Sequence, residues 1–321
     1  MNRTEYEQAS RQYLAALPSM KKSAQTIRCY QSVLSAFRDF LFSDEQKRTD
    51  AAEQISPLTI GAWRNQMFQN VSINTIRHYM TVLSAFFRWC VRMGAIEKSP
   101  IESAEIPKKE QIEYDLLSLD EIKRVLSANA HKLGENYCKN RAIVVLLIQT
   151  GIRNAELRDL RLSDLDFDRN TITVSHGKGD KKREIPFPAL AREAVSEYLS
   201  TGARPGFLKK SDLLFPSFAD ETGHGRTDRT ERNRFHKFSS AAILQMVKRY
   251  TERVCGHEVG VHDLRHAYAS MCDYFDVPIR QIQTSMGHSS YNTTLQVYIS
   301  VLDKNKAAEN INSAFDAMER G

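Results

Sequence analysis

Apolar residues in the first third of the chain recur at helical steps, and they do so twice in nearly the same wording. Thr26-Ile-Arg-Cys-Tyr30-Gln-Ser-Val-Leu34-Ser-Ala-Phe37 returns as Thr75-Ile-Arg-His-Tyr79-Met-Thr-Val-Leu83-Ser-Ala-Phe86. In each copy Ile, Tyr, Leu and Phe fall at three- and four-residue steps, so they line one face of a helix. Two copies are too few for a solenoid, in which three or more repeats stack. They are either a duplicated helical hairpin or a convergence on the same task. Arg28 and Arg77 stand at matching places just off the apolar stripe, where a charge can simply keep a helix soluble.

The pattern breaks after the second copy. A helix through Arg88, Trp89 and Arg92 ends near Met93-Gly94, and Lys98-Ser-Pro100 and Ile106-Pro107-Lys-Lys-Glu-Gln form a polar linker punctuated by proline. Helix restarts at Leu117-Ser118-Leu-Asp-Glu121-Ile, where a serine followed by a glutamate three residues on is the signature of a capping box. This divides the chain into a smaller domain over 1–107, a linker over 108–112 and a larger domain over 113–321. In the larger domain β-branched Thr171-Ile-Thr-Val174 predicts a strand, Gly177-Lys178-Gly179-Asp180 a turn and Arg183-Glu-Ile185 the returning strand. His262 and Arg265 share a helix face, with Ala267, Ala269 and Met271 as packing positions, and Ser239 caps another helix. Thr293–Ser300 reads as an amphipathic helix packing on Leu295, Val297 and Ile299. A last helix over Lys304–Arg320 gathers Ala308, Ile311, Phe315 and Met318 on one face, which by default packs on its own domain. The chain is therefore mainly α with a small antiparallel β-sheet.

Composition narrows the partner. The 321 residues suffice for two domains, and a net charge of +6 with a pI near 9.0 suits a polyanion. Five cysteines stand without C-x-x-C or His/Cys spacing for a metal, which points to reduced thiols in a cytoplasm. No apolar run reaches the roughly 18 residues of a membrane span. The start, Met1-Asn-Arg-Thr-Glu, lacks the charged-then-apolar pattern of a signal peptide.

Four distant stretches carry the candidate chemistry. They are Thr150-Gly-Ile-Arg153-Asn-Ala-Glu156-Leu157, His176-Gly-Lys178-Gly179, His262-Asp-Leu-Arg265-His266, and Met286-Gly-His288 followed by Tyr298. Two arginines, a lysine, two histidines and a phenol are the groups that metal-free attack on a DNA phosphate requires. A phenol with an ordinary pKa near 10 is a weak nucleophile until its site favours the phenolate. Guanidinium groups stay charged and bond two phosphate oxygens at once. In order and wording these stretches resemble the tyrosine recombinase (phage integrase) family of site-specific DNA recombinases.

The resemblance implies an N-terminal SAM-like helical bundle that binds core-type DNA, a mixed α/β catalytic domain, and a C-terminal helix exchanged between subunits. It assigns Tyr298 as nucleophile, Arg153, Arg265 and His288 as phosphate ligands, Lys178 as general acid, and His262 to proton exchange with the tyrosine. Glu156 and His266 support that set. Lys181, Lys182 and Arg183 join Arg28 and Arg77 as candidate DNA contacts. The implied reaction forms a 3′-phosphotyrosyl link and a Holliday junction, with no metal, ATP or other cofactor. Its implied setting is double-stranded DNA in a bacterial cytoplasm, near the nucleoid. Four protomers would act on two sites, with accessory excision or host architectural factors as further partners and no membrane. Because no extra module precedes the first bundle helix, only core-type sites are expected.

Several positions keep a plain alternative. Lys178, Lys181, Lys182 and Arg183 read equally as a solvated loop when taken alone, and Glu156 as a surface glutamate. Tyr298 is one of twelve tyrosines, singled out by its spacing after Met286-Gly-His288; Tyr291 stands too close to that turn. Asp164, Asp166 and Asp168 read as turn residues rather than metal ligands. The polar stretch over 220–237 is either an inserted loop touching DNA or a neighbouring subunit, or an unstructured one. Two other functions use much the same residues: relaxation of supercoiled DNA in the manner of a type IB topoisomerase, or DNA binding by an inert regulator.

Overall fold

A computed structural model describes residues 1–43, 54–102, 104, 106–108, 110, 117–129, 137–175, 182–202, 204, 206, 208–209, 211–217 and 236–287. The chain divides into two compact units, Met1–Ile112 and Glu113–Gly321, so residues 108–112 fall with the first. No described helix is long and apolar enough to cross a membrane.

In the first unit four helices close on one core: α1 (Arg3–Ala16), α2 (Ala24–Phe42), α3 (Pro57–Met67) and α4 (Ile73–Arg92). The two echoing segments become α2 and α4, and the likeness extends one turn further back, to Ser23 and Ser72. Each serine hydroxyl accepts the backbone N–H of the matching threonine, Thr26 or Thr75, and so fixes where its helix begins. The apolar stripes then bury Leu34 and Phe37 from one copy and Leu83 and Phe86 from the other. Tyr6 meets Phe37 and Phe86 edge-on at centroid distances of 5.5 and 5.3 Å. Its hydroxyl donates to the Leu34 carbonyl at 2.9 Å, so the buried polar end is satisfied. The two copies also touch at matched positions, with Cys29 Sγ 3.0 Å from His78 Nε2.

The second unit is built around α6 (Tyr137–Thr150), whose residues Ala142–Ile148 are buried without a break. Packed on it are α8 (Ala189–Ser200), α9 (Ser240–Cys255) and α10 (Val261–Tyr274), with α5 (Leu119–Ser127) against α9. The capping box at Ser118 and Glu121 forms as the spacing predicts, and Ser239 caps α9. Three strands make an antiparallel sheet in the order β1 (Leu165–Asp166), β2 (Thr171–Val174), β3 (Arg183–Pro186), with Val174 opposite Arg183. A second pair joins β4 (Pro216–Ser217) to β5 (His236–Lys237). Apart from His236 and Lys237, nearly all of the 220–237 stretch lies outside the described residues.

The aspartate run differs in part from expectation. Leu165–Asp166 is paired strand, because Leu165 is an apolar residue opposite buried Ile172. The carboxylates serve the backbone: Asp164 accepts from the Arg161 N–H at 2.8 Å, and Asp166 from those of Asp168 and Arg169 at 3.0 and 2.8 Å. The described residues of this unit also form two short helices, α7 (Asn154–Asp159) and α11 (Ile279–Met286).

Candidate active site

The site is assembled where three helix ends meet. Helix α6 stops at Thr150, and Gly151 turns the chain at φ +59°, a left-handed conformation that glycine adopts freely. A Cβ there would run into the Tyr268 ring of α10, so the glycine also permits the close packing. The turn puts Arg153 at the N-cap of α7, and Glu156 reaches back to accept the Arg153 backbone N–H at 2.8 Å.

Glu156 is the hub. Its Oε1 accepts from Arg153 Nη1 and Arg183 Nη1, both at 2.8 Å. Its Oε2 accepts from Arg183 Nη2 and the Arg153 backbone, both at 2.8 Å. A carboxylate has about four lone-pair sites, and here all are taken, so Glu156 orients Arg153 and Arg183. Burial alone would push this carboxyl up; the Arg183 fork and the Arg153 N–H outweigh it and hold the pKa at about 2.

Arg153 and Arg183 share a second anchor with Arg265. Helix α11 ends at Met286 with Gly287 in the left-handed region, leaving its last carbonyls without helical partners. Arg183 Nε donates to the Ser285 carbonyl at 3.1 Å, Arg265 Nη2 to Met286 at 2.6 Å, and Arg153 Nη2 to Gly287. Three consecutive carbonyls thus receive three different guanidiniums, and the negative end of the helix dipole faces three cations. Arg265 also donates to the Gly151 carbonyl, tying α10 to the end of α6. Burial, and then the charge of Arg153, lower its pKa to about 9, so it stays charged at neutral pH.

His262 stands one turn before Arg265 on α10. It is an exposed residue, yet the protein around it, then Arg265, lower its pKa against the opposing pull of Asp263 and so favour the neutral ring. His266 is buried at 2 % exposure, with its ring edge-on to His262 at 4.9 Å. Burial, followed by the influence of His262, brings its pKa from 6.5 to about 4. The unfolded chain therefore holds more protons than the fold between those values, and stability is lost as pH falls through that window. Glu156, lowered from 4.5, adds a further loss below its own ordinary value. Thermal melting followed from pH 7 to 4 should show a falling midpoint, and His266→Phe, which takes up no proton, should fall less.

The structure thus brings Arg153, Glu156, Arg265, His262 and His266 together. Lys178, Lys181, His288, Tyr298 and the whole of the last expected helix, 304–320, lie outside the described residues. Lys182 is exposed beside the first residue of β3. Arg183, expected among the loop cations, is turned inward with a side chain 14 % exposed. The signal was available: side chains two apart on a strand share a face, and Arg183 is two before buried Ile185. In the first unit Arg28 is exposed and donates to Gln25 at 2.9 Å, whereas Arg77 is half-buried and donates to the Pro107 carbonyl. Missing from the sequence reading altogether were the Ser285, Met286 and Gly287 carbonyls.

Known proteins resemble the chain over most of its length. A sequence profile described as the phage integrase family matches residues 116–305, and one for the phage integrase N-terminal SAM-like domain matches 11–94. The tyrosine recombinase XerC of Anoxybacillus flavithermus is 28 % identical over 87 % of this chain and 88 % of its own length. Tyrosine recombinase XerA of Thermococcus onnurineus is 30 % identical over 87 % of this chain and 86 % of its own. Among solved structures, the integrase of transposon Tn1549 in complex with transposon right end DNA shares the fold. Its TM-score is 0.67 at 19 % identity, over 100 % of this chain and 99 % of that one. From the arginine cluster and these matches together, the chain belongs to the phage integrase family of tyrosine recombinases.

Proposed function

We propose that Tyr298 attacks a DNA phosphate held by Arg153 and Arg265, and that this chain's own residues carry the family reaction as follows. Membership makes the chain a tyrosine-type site-specific DNA recombinase, which cuts and rejoins DNA through a phosphotyrosyl link and a Holliday junction. The single observation that supports the residue assignment is the meeting of Arg153 and Arg265 at one helix end, each secured by backbone carbonyls. Two guanidiniums fixed before the phosphate arrives need little rearrangement as charge gathers on its oxygens. Neutral His262 is suited to exchange a proton with the phenol, and Lys178 to give one to the departing 5′ oxygen. His288 adds a further donor to the phosphate. The bond energy stays in the tyrosyl ester, so the returning 5′ hydroxyl reseals DNA without ATP. Four protomers on two core-type sites complete the exchange.

The test is covalent capture. A pool of nicked duplexes with randomised flanks, incubated with the protein and EDTA, should yield a covalent complex enriched in inverted half-sites. Absence of any capture, or relaxation of a supercoiled plasmid that lacks the selected sequence, would overturn the reading.

A further inference from the structure

We propose that Arg183 is a positioning residue for strand cleavage, clamping Glu156 and the end of α11 so that Arg153 meets the scissile phosphate in one fixed orientation. The proposal rests on the reading above that Arg153 binds that phosphate. A guanidinium has five N–H donors, and in Arg183 three nitrogens are already engaged: both Nη on Glu156, and Nε on the Ser285 carbonyl. The residue is held as a strut between β3, α7 and α11. It supplies two of the four bonds that fill the Glu156 carboxylate. The other two come from Arg153, whose backbone and side chain Glu156 fixes.

The consequences of removing it follow from charge and geometry. Without Arg183, Glu156 keeps its charge in a buried place with half of its partners. It then pulls on Arg153 without a counterweight and turns that guanidinium toward itself and away from DNA. The Ser285 carbonyl loses its cap at the same time, loosening the turn that ends at Gly287. A lysine does not restore the arrangement, because one ammonium cannot reproduce a fork on a carboxylate together with a third bond to a carbonyl. A cation that merely touched DNA would tolerate lysine.

The closing experiment compares Arg183→Gln, Arg183→Lys and Arg153→Ala by single-turnover covalent capture on a selected nicked site, with DNA binding measured in parallel. Each is run on the natural phosphate and on a methylphosphonate at the scissile position. Replacing a non-bridging oxygen by methyl removes the anion, so an arginine there has no charge left to neutralise. Both Arg183 variants should bind DNA like the parent and cleave the phosphate about 100-fold more slowly, the scale expected of a group displaced by an ångström. On the methylphosphonate they should recover most of that loss, as Arg153→Ala does. Arg183→Lys carries the test where the glutamine variant fails to fold. Parental cleavage by Arg183→Lys would overturn the proposal. So would loss of binding in step with cleavage, or equal loss on both substrates. An Arg153→Ala protein slowed equally on both substrates would overturn the phosphate reading itself, and the role of Arg183 with it.

Discussion

A Tyr298→Phe variant should bind its DNA site and leave no covalent complex on it. The substitution removes one oxygen and keeps the ring, so whatever packing the side chain provides is largely retained. The reaction has no other route to the same product, because the phosphodiester must be handed to a protein atom before a new DNA end can receive it. Loss of a nucleophile in an otherwise assembled hydrolytic site costs on the order of 10⁶-fold in rate, and here the readout is the acceptor atom itself. Single-turnover capture over a range of times should give a band for the parent and none for the variant, at concentrations where both shift the duplex. Tyr291→Phe is the control, since it is the nearest rival in sequence. Capture lost in Tyr291→Phe and kept in Tyr298→Phe would reassign the nucleophile.

What the chain reveals unaided follows from where each signal is stored. The stripes of α2 and α4 are local: a period of three to four, and a serine cap one turn ahead, suffice to place both helices. Helix α6 is different. Ala142–Ile148 is apolar all round because every face is buried, and such a run has no period to separate helix from buried strand. The site divides in the same way. Arg153, Glu156 and Arg265 are recognisable because a side chain's chemistry is written in its name. The carbonyls of Ser285, Met286 and Gly287 are not, because every residue has a carbonyl and only the placement of α11 makes these three face the arginines. Arg183 lies between the two cases. Grouping it with Lys181 and Lys182 by charge made it a loop cation, whereas the two-residue alternation with Ile185 places it on the inner face of β3.

Arg265→Ala should be the most damaging change among the described residues of the site. Arg265 is 4 % exposed and joins Gly151 to Met286 through their carbonyls; in the proposed reaction it also presents charge to the phosphate. Alanine removes both, and loss of one preorganised donor to a developing oxyanion costs roughly 3 kcal/mol, with rates falling up to about a thousand-fold. Arg265→Lys should recover little, because a single ammonium cannot span two carbonyls and still address a phosphate. The protonation state provides a second check. With its pKa brought down to about 9, Arg265 loses charge as pH rises through that value. Only the charged form stabilises the anion, so capture under subsaturating conditions, which reports the free enzyme, should decline as the pH passes 9. Duplex binding, spread over many phosphates, should decline less. In Arg265→Ala the decline assigned to this group should be gone from what activity remains. A parental profile that stays flat through pH 9 would mean that this guanidinium keeps its charge through that pH and that the lowered pKa does not limit cleavage.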